Sequence, residues 1–193
     1  QIIKCSYFIT FKSKESQKYL ETCGINKFYN QDRNFGYLAV SCHELNTRDG
    51  GSGQWQIKYV QEDSNIENRH NMEYGKRIEL INNYSKNNGY LHIYSFNDAH
   101  TRQYPFYQNK IQGFYLGKYE NGKIVTEGQC YSSDEIVIYY KEANKNSVLL
   151  VENKNDNKII LHKDLINLTN KTIKLSNDLI WTIEKFNIKQ IRD

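Results

Sequence analysis

The sequence is short of the residues that mark several large protein classes. Its 193 residues include a single proline and few alanines, which argues against a helical bundle. Its longest apolar runs, such as residues 148–151, fall far short of the roughly 20 residues that a membrane helix needs. We therefore expect a chain that is rich in β-structure and has no membrane span.

Cysteine spacing excludes the common zinc sites. Cys5, Cys23, Cys42 and Cys130 form no Cys-x-x-Cys pair, so we expect no structural metal and no cofactor. The even number suits an oxidising compartment, in which at least one pair is expected to be bridged. Four cysteines allow three connectivities, and Cys23 with Cys42, which would close a short loop, is the first pair to test.

The charge pattern lacks a nucleic-acid footprint. The net charge is +4, but Lys and Arg are interspersed with Asp and Glu throughout, so we expect no nucleic-acid partner. No local signature marks a catalytic Cys–His pair, and neighbours on a strand such as Cys42 and His43 point to opposite faces. We therefore predict no catalytic residue and a protein that is not an enzyme.

Strand patterns dominate what is present. Ile78 and Leu80 alternate with charged neighbours, residues 82–89 form a polar turn, and Leu91 and Ile93 alternate again. A two-residue period is typical of half-buried strands, so this stretch is a predicted β-hairpin. Hydrophobic residues make up 38% of the chain and tyrosines number 16, which is enough for one core with Tyr on strand faces and in loops.

The same hairpin pattern occurs three times. Its leading apolar residues lie at positions 9, 78 and 149, which are 69 and 71 residues apart. Each copy is followed by a short apolar strand, at residues 55–57, 136–138 and 181–183. Three degenerate repeats at roughly 6–60, 74–141 and 147–187 predict an all-β chain, specifically a single β-trefoil domain over residues 1–193.

The repeats predict a shared core and several turns. Asn121-Gly122 indicates a tight hairpin turn, and Ile173 and Leu175 alternate like a strand before Trp181. The residues expected to meet in one core are Ile9, Phe11, Leu20, Trp55, Ile57, Ile78, Leu80, Leu91, Ile93, Val151, Ile160, Trp181 and Ile183.

Several short motifs resemble the MIR module. They are LAVSCH at 38–43, GQWQI at 53–57, YGKRIEL at 74–80 and YLHIY at 90–94, in the order in which the family shows them. The chain is also similar in size to secreted, stromal-cell-derived-factor-two-like members. The resemblance implies a β-trefoil that binds protein partners, such as glycoprotein clients or luminal chaperone complexes. Tyr94 replaces the family's second His, and neither Trp carries the Gln-x-Trp signature of ricin-B-like lectins.

One segment is the predicted binding site. Residues 96–113 form a long polar and aromatic insertion beside the return strand of the second hairpin, and such loops are often functional. Aromatic faces with nearby hydrogen-bonding groups suit either sugars or a wet protein interface. The candidate ligand-binding residues are Tyr90, His92, Asp98, His100, Arg102, Tyr104 and Tyr107.

These features together predict a non-enzymatic binding module that is secreted or resides in the endoplasmic reticulum lumen. Three Asn-x-Ser/Thr sequons, at Asn83, Asn167 and Asn170, fit surface turns in such a protein. The expected partner is a protein or glycoprotein. A carbohydrate-binding lectin is the alternative, followed by a toxin accessory subunit or a hydrolase.

Overall fold

The computed structural model describes residues 1–5, 7–22, 37–43, 53–60, 71–83, 89–93, 99–103, 113–141, 147–153, 155, 159–162, 168 and 171–185. The described residues form strands and one 3-10 turn, Asn177–Leu179, and no α-helix. The strands are β1 Ile9–Ser13, β2 Tyr19–Thr22, β3 Tyr37–His43, β4 Trp55–Tyr59, β5 Ile78–Asn82, β6 Gly89–Ile93, β7 Ala99–Gln103, β8 Tyr115–Glu120, β9 Lys123–Val125, β10 Glu135–Lys141, β11 Ser147–Glu152, β12 Ile159–Leu161 and β13 Trp181–Lys185.

Six strands pair into a closed antiparallel ring. Its order is β1, β4, β5, β8, β10 and β13, and β13 pairs with β1 again; the link from β5 to β8 is a single bridge between Ile78 and Phe114, the residue before β8. The pairs β2–β3, β6–β7 and β11–β12 lie between successive ring strands along the chain. Antiparallel pairs of this kind curl the described sheet back on itself. The arrangement is a curled all-β sheet that is consistent with a β-trefoil-like fold.

The strand pairing groups the described elements into three units, which we call the first (β1–β4), second (β5–β8) and third (β10–β13). In each unit an isoleucine of the first strand pairs with an aromatic residue that lies in the last strand or directly before it. These pairs are Ile9 with Trp55, Ile78 with Phe114, and Ile136 with Trp181. By strand pairing, β10 belongs with β11 to β13. The predicted sequence repeats instead place β10 in the second repeat, which ends at residue 141, and those boundaries stay a prediction.

The main core lies inside the ring. Eleven of the thirteen residues expected to meet there do so, and all eleven are buried. The prediction is wrong for Val151 and Ile160, which pack in a second cluster on the outside of the third unit. All six residues of β11 are buried, so both faces of this strand are covered. Leu150, rather than its neighbours, belongs to the main core.

A cycle of backbone hydrogen bonds closes one end of the ring. Ile3 N donates to Cys130 O at 2.9 Å, Cys130 N to Met72 O at 2.8 Å, and Met72 N to Ile3 O at 2.7 Å. All three side chains are fully buried. Each of the three segments thus provides the carbonyl that accepts a hydrogen bond from the backbone N–H of another, as buried backbone groups need partners. Gly75, just beyond this cycle, has φ +76°, and an added Cβ would lie 2.1 Å from Thr126 O, so only glycine fits.

The second cluster is covered by residues 171–180. Tyr119 Oη donates to Ile173 O at 2.7 Å and accepts from Leu175 N at 3.3 Å. Ile173 N donates to Gly122 O at 2.6 Å. The sequence predicted a strand at Ile173 and Leu175; this is wrong, because these bonds run to a side chain and a turn instead of a strand ladder. The buried members are Val137, Tyr139, Leu149, Val151, Leu175, Leu179 and Ile180.

Several local predictions are confirmed in the described strands. Each predicted hairpin is confirmed, by the pairings β1–β2, β5–β6 and β11–β12. Asn121 and Gly122 have φ of 51° and 74°, as the predicted tight turn between β8 and β9 requires. The insertion at 96–113 is corrected, because it contains strand β7, which pairs with β6 and β3.

Candidate functional site

Strand β6 positions two of the predicted site residues. Gly89, Leu91 and Ile93 are buried toward the core, while Tyr90 and His92 between them are half-buried. Successive side chains of a strand point to opposite faces, so Tyr90 and His92 lie on the outer face. Both residues also interact within the chain.

Strand pairing brings two more predicted residues to the same place. His92 pairs with His100 and Tyr90 pairs with Arg102 across β6 and β7. Residues directly opposite each other in an antiparallel pair share a face of the sheet. These four positions therefore form one neighbourhood, which we call the β6–β7 face. The other predicted residues, Asp98, Tyr104 and Tyr107, lie outside the described residues.

Strand β3 extends this face. Tyr37 pairs with Arg102, and Ala39 pairs with His100, on the side of β7 away from β6. Sequence reasoning missed Tyr37, because nothing local to β3 reveals that it neighbours a strand so far along the chain. We include Tyr37 and Ala39 in the β6–β7 face. The result is two cross-strand rows, Tyr37–Arg102–Tyr90 and Ala39–His100–His92.

A buried carboxylate lies beside this face. Glu79 alternates with the core residues Ile78 and Leu80, yet its side chain is only 6% exposed. Its register partner is Lys58 on β4. Burial raises the pKa of Glu79, and the positive charges of Lys58 and Arg77 offset only part of that effect. The outer surface of β4 and β5 therefore combines acidic and basic groups.

In the first unit, an outer tyrosine forms its contacts with other side chains of the protein. Tyr19 Oη donates to Glu184 Oε2 at 3.1 Å, and Lys12 Nζ lies 5.6 Å from the centre of the Tyr19 ring. Burial and the charge of Glu184 raise the pKa of Tyr19 to about 12. The Tyr19 hydroxyl is therefore neutral at physiological pH and acts as a hydrogen-bond donor.

Burial also raises the pKa of two thiols at the closed end of the ring. Cys5 and Cys130 are free and buried, and burial raises the pKa of each to about 11. The Tyr74 hydroxyl, whose pKa burial also raises, donates to Asp134 Oδ2 at 2.6 Å beside Cys130. Because the thiolate is the reactive form, neither thiol suits nucleophilic catalysis.

These observations bear on the cysteine prediction and on metal binding. The described cysteines form no disulfide, and the expected pair of Cys23 and Cys42 lies outside the described side chains. Within the described ranges, His, Cys, Asp and Glu nowhere gather in a group of three or more that could hold a metal ion. None of the described helical segments is long and apolar enough to cross a membrane.

Comparison with known proteins yields fold neighbours alone. No family model matches the chain, and no curated protein sequence matches it. A structural-genomics structure of a Caenorhabditis elegans protein of unknown function is similar, with a TM-score of 0.60 and 9% sequence identity, over 95% of this chain and 96% of that one. The crystal structure of the SDF2-like protein from Arabidopsis thaliana is also similar, with a TM-score of 0.59 and 11% identity, over 95% of each chain.

Proposed function

We propose that the chain is a MIR-like β-trefoil that serves as a non-enzymatic binding module for protein or glycoprotein partners. The observation that carries the proposal is the β6–β7 face, where half-buried Tyr90 and His92 lie opposite positions 102 and 100 in the strand register. Tyrosine and arginine are enriched at protein interfaces, because each combines an apolar body with directional hydrogen bonds. Similarity to the SDF2-like protein supports the fold on which the proposal rests.

The proposal includes the secretory pathway as the site of action. It is supported by the fold similarity to an SDF2-like protein and by the predicted sequons. Cys5 and Cys130 are free in the described chain, so a disulfide is no part of this argument. Fractionation of cells that express the protein from its natural gene would test the compartment, and recovery in the cytosol would contradict it.

Pull-down with matched surface variants tests the binding role. Tyr90→Ala with His92→Ala removes two side chains from the β6–β7 face, and we expect captured partners to be lost. Tyr131→Ala is the control, because Tyr131 is 42% exposed at the closed end of the ring, on another part of the surface. Melting temperatures of all variants are measured in parallel. Retention of the same partners by the double variant would contradict the proposal.

A glycan array separates the lectin alternative from protein recognition. The β6–β7 face holds Tyr90, which is half-buried, and aromatic stacking with directional hydrogen bonds is how such sites hold sugars. Specific glycan binding that Tyr90→Ala abolishes would favour the lectin. We expect no such binding, and we expect capture of a protein partner whose glycans have been removed.

A further inference from the structure

The outside of the third unit carries an apolar face that the chain itself covers. On β10, Val137 and Tyr139 face the second cluster, while their neighbours Ile136 and Ile138 face the main core. Two residues of β11 complete this apolar face, which we define as Val137, Tyr139, Leu149 and Val151. All four are buried, and residues 171–180, which we call the covering segment, lie over them.

The covering segment meets the apolar face through four aliphatic side chains. Leu175, Leu179 and Ile180 are buried in the second cluster, and Ile173 packs against it. Lys174, between Ile173 and Leu175, is exposed. What the apolar face selects is therefore the spacing of aliphatic residues at positions 173, 175, 179 and 180, and not the residues between them.

A single hydroxyl holds the backbone of the covering segment. Tyr119 Oη donates to Ile173 O at 2.7 Å and accepts from Leu175 N at 3.3 Å. Every extended peptide offers a carbonyl and an N–H at this interval, so the contact does not depend on the side chains of the segment. Hydrogen bonds to the main chain, together with pockets for alternate side chains, are how proteins recognise extended peptides. Tyr119 and the apolar face together have both properties.

The covering segment can leave without breaking the ring. It belongs to no strand, and none of its residues contributes to the main core. Apart from those of Tyr119, its hydrogen bonds to the rest of the described chain run from Ile173 N to Gly122 O at 2.6 Å and from Lys14 N to Ile180 O at 2.9 Å. Segments with so few hydrogen bonds open locally at a lower free energy than the strands that they cover. We therefore expect a small population in which the apolar face is open.

We propose that the covering segment is an internal competitor at a peptide site, and that an extended segment of a protein partner displaces it. The partner segment carries aliphatic residues at the spacing of positions 173, 175, 179 and 180. This site lies on the third unit, so the inference goes beyond the binding role of the β6–β7 face and does not rest on it. A site that is covered in most molecules binds a partner with an affinity lowered by the open fraction. A change that opens the covering segment should therefore tighten binding by the same factor.

Fluorescence anisotropy with a peptide added in trans tests the proposal on the full chain. The probe is a labelled peptide with the sequence of residues 171–180, and the control peptide has serine in place of both leucines. Leu175→Ala, made in the protein, removes one anchor of its own covering segment and leaves Tyr119 and the apolar face unchanged. We expect the probe to bind Leu175→Ala about tenfold or more tightly than the parent chain, because the open fraction rises.

Further variants assign the binding to this site. Lys174→Ala alters the exposed neighbour of Leu175 and should leave the affinity for the probe at the parent value. Tyr119→Phe combined with Leu175→Ala should bind the probe several-fold more weakly than Leu175→Ala alone, because hydrogen bonds to the backbone of the probe are lost. The proposal is overturned if Leu175→Ala does not bind the probe, if the two peptides bind equally, or if Lys174→Ala gives the same gain. Equal binding by the single and the double variant would also overturn it.

Two measurements keep the outcome unambiguous. Slow hydrogen exchange in β1 and β13 shows that the ring of a variant is folded. If Leu175→Ala does not fold, Ile173→Ala removes an anchor that is only partly buried and should give a smaller gain in the same direction. Tyr90→Ala with His92→Ala should bind the probe as the parent chain does, so this inference and the proposed function fail separately.

Discussion

The hairpins of the second and third units share the same strand register, but their outer residues differ in polarity. Tyr90 of β6 pairs with Ile81 of β5, just as Leu149 of β11 pairs with Tyr139 of β10. His92 pairs with His100, where the third unit pairs Val151 with Ile160. Leu149 and Val151 are buried in the second cluster with Ile160 partly buried against them, whereas Tyr90 and His92 are half-buried. The outer pattern alone decides whether a hairpin carries a second core or a polar face.

Aromatic side chains next to the second cluster contact each other and a lysine. The rings of Tyr115 and Tyr139 stack with centroids 5.3 Å apart, and Lys141 Nζ lies 4.7 Å from the centre of the Tyr115 ring. Burial raises the pKa of Tyr139, so its hydroxyl stays protonated. The Tyr115 ring is thus engaged by two side chains of β10.

The largest contrast is expected from truncation at matched positions. Leu149→Ala should lower the free energy of unfolding by about 2–5 kcal/mol, because it opens a cavity in the second cluster. Tyr90→Ala, at the corresponding position, should change it by no more than about 1 kcal/mol, because Tyr90 is only half-buried. Urea unfolding of both variants measures the difference. Equal losses would mean that the two outer faces are packed alike.

Exchanging side chains between the units sharpens the comparison. Val151→His should destabilise by about 1–3 kcal/mol, because it buries a polar ring without a prepared partner. The reverse change, His92→Val, should stay within about 1 kcal/mol. Thermal and urea unfolding of each single variant check this. A destabilisation by His92→Val that matches Val151→His would show that the polar face is as demanding as the covered one.

A smaller effect is expected where the covering segment is anchored. Tyr119→Phe removes the hydroxyl that joins Ile173 O and Leu175 N, and should cost about 1–2 kcal/mol. Hydrogen exchange should then speed up at the amides of residues 171–180 and stay slow in the ring strands. Tyr131→Phe, which alters an exposed hydroxyl, is the control. Uniformly faster exchange in all strands would mean that the segment does not open by itself.

The smallest effect is a pH-dependent one at Glu79. Its raised pKa means that the folded chain holds this proton more tightly than the unfolded chain, so stability falls as the pH rises above the ordinary value of 4.5. Glu79→Gln should therefore gain stability relative to the parent between about pH 4 and pH 7. The exposed Glu127→Gln controls for removing one negative charge and should show no such trend. A loss of stability in Glu79→Gln at neutral pH would contradict this account.

The sequence allowed the ring strands and hairpins to be predicted, because their apolar residues follow a two-residue period. It failed at Val151, where residues 148–151 are all apolar and both faces of β11 are buried. Continuous apolar runs carry no information about which face meets which core. Strand β7 was missed because Ala99 and Thr101, its buried residues, are small or polar and leave no apolar alternation.

The site was predictable in part for a similar reason. Tyr90 and His92 lie on a strand with clear alternation, so their outer position followed from the pattern. Their neighbours across the sheet did not, because the pairing of β3 with β7 joins segments that are distant in sequence. No local pattern encodes which strands become partners when hairpins meet. The Tyr37–Arg102–Tyr90 row therefore emerges only from the folded chain.

The pairing of β1 with β13 has a consequence for how the chain is made. Ile9 pairs with Lys185, so the ring cannot close until nearly all described residues have been synthesised. Contacts between such distant residues make folding slow, because the entropy of a long loop is lost before the stabilising contacts form. A nascent chain on the ribosome would pair β1 with β2 and β4 early, but it would leave the edge of β1 that faces β13 unpaired for most of translation. Such edges attract other chains, so assistance from chaperones during synthesis is the expected requirement for this topology.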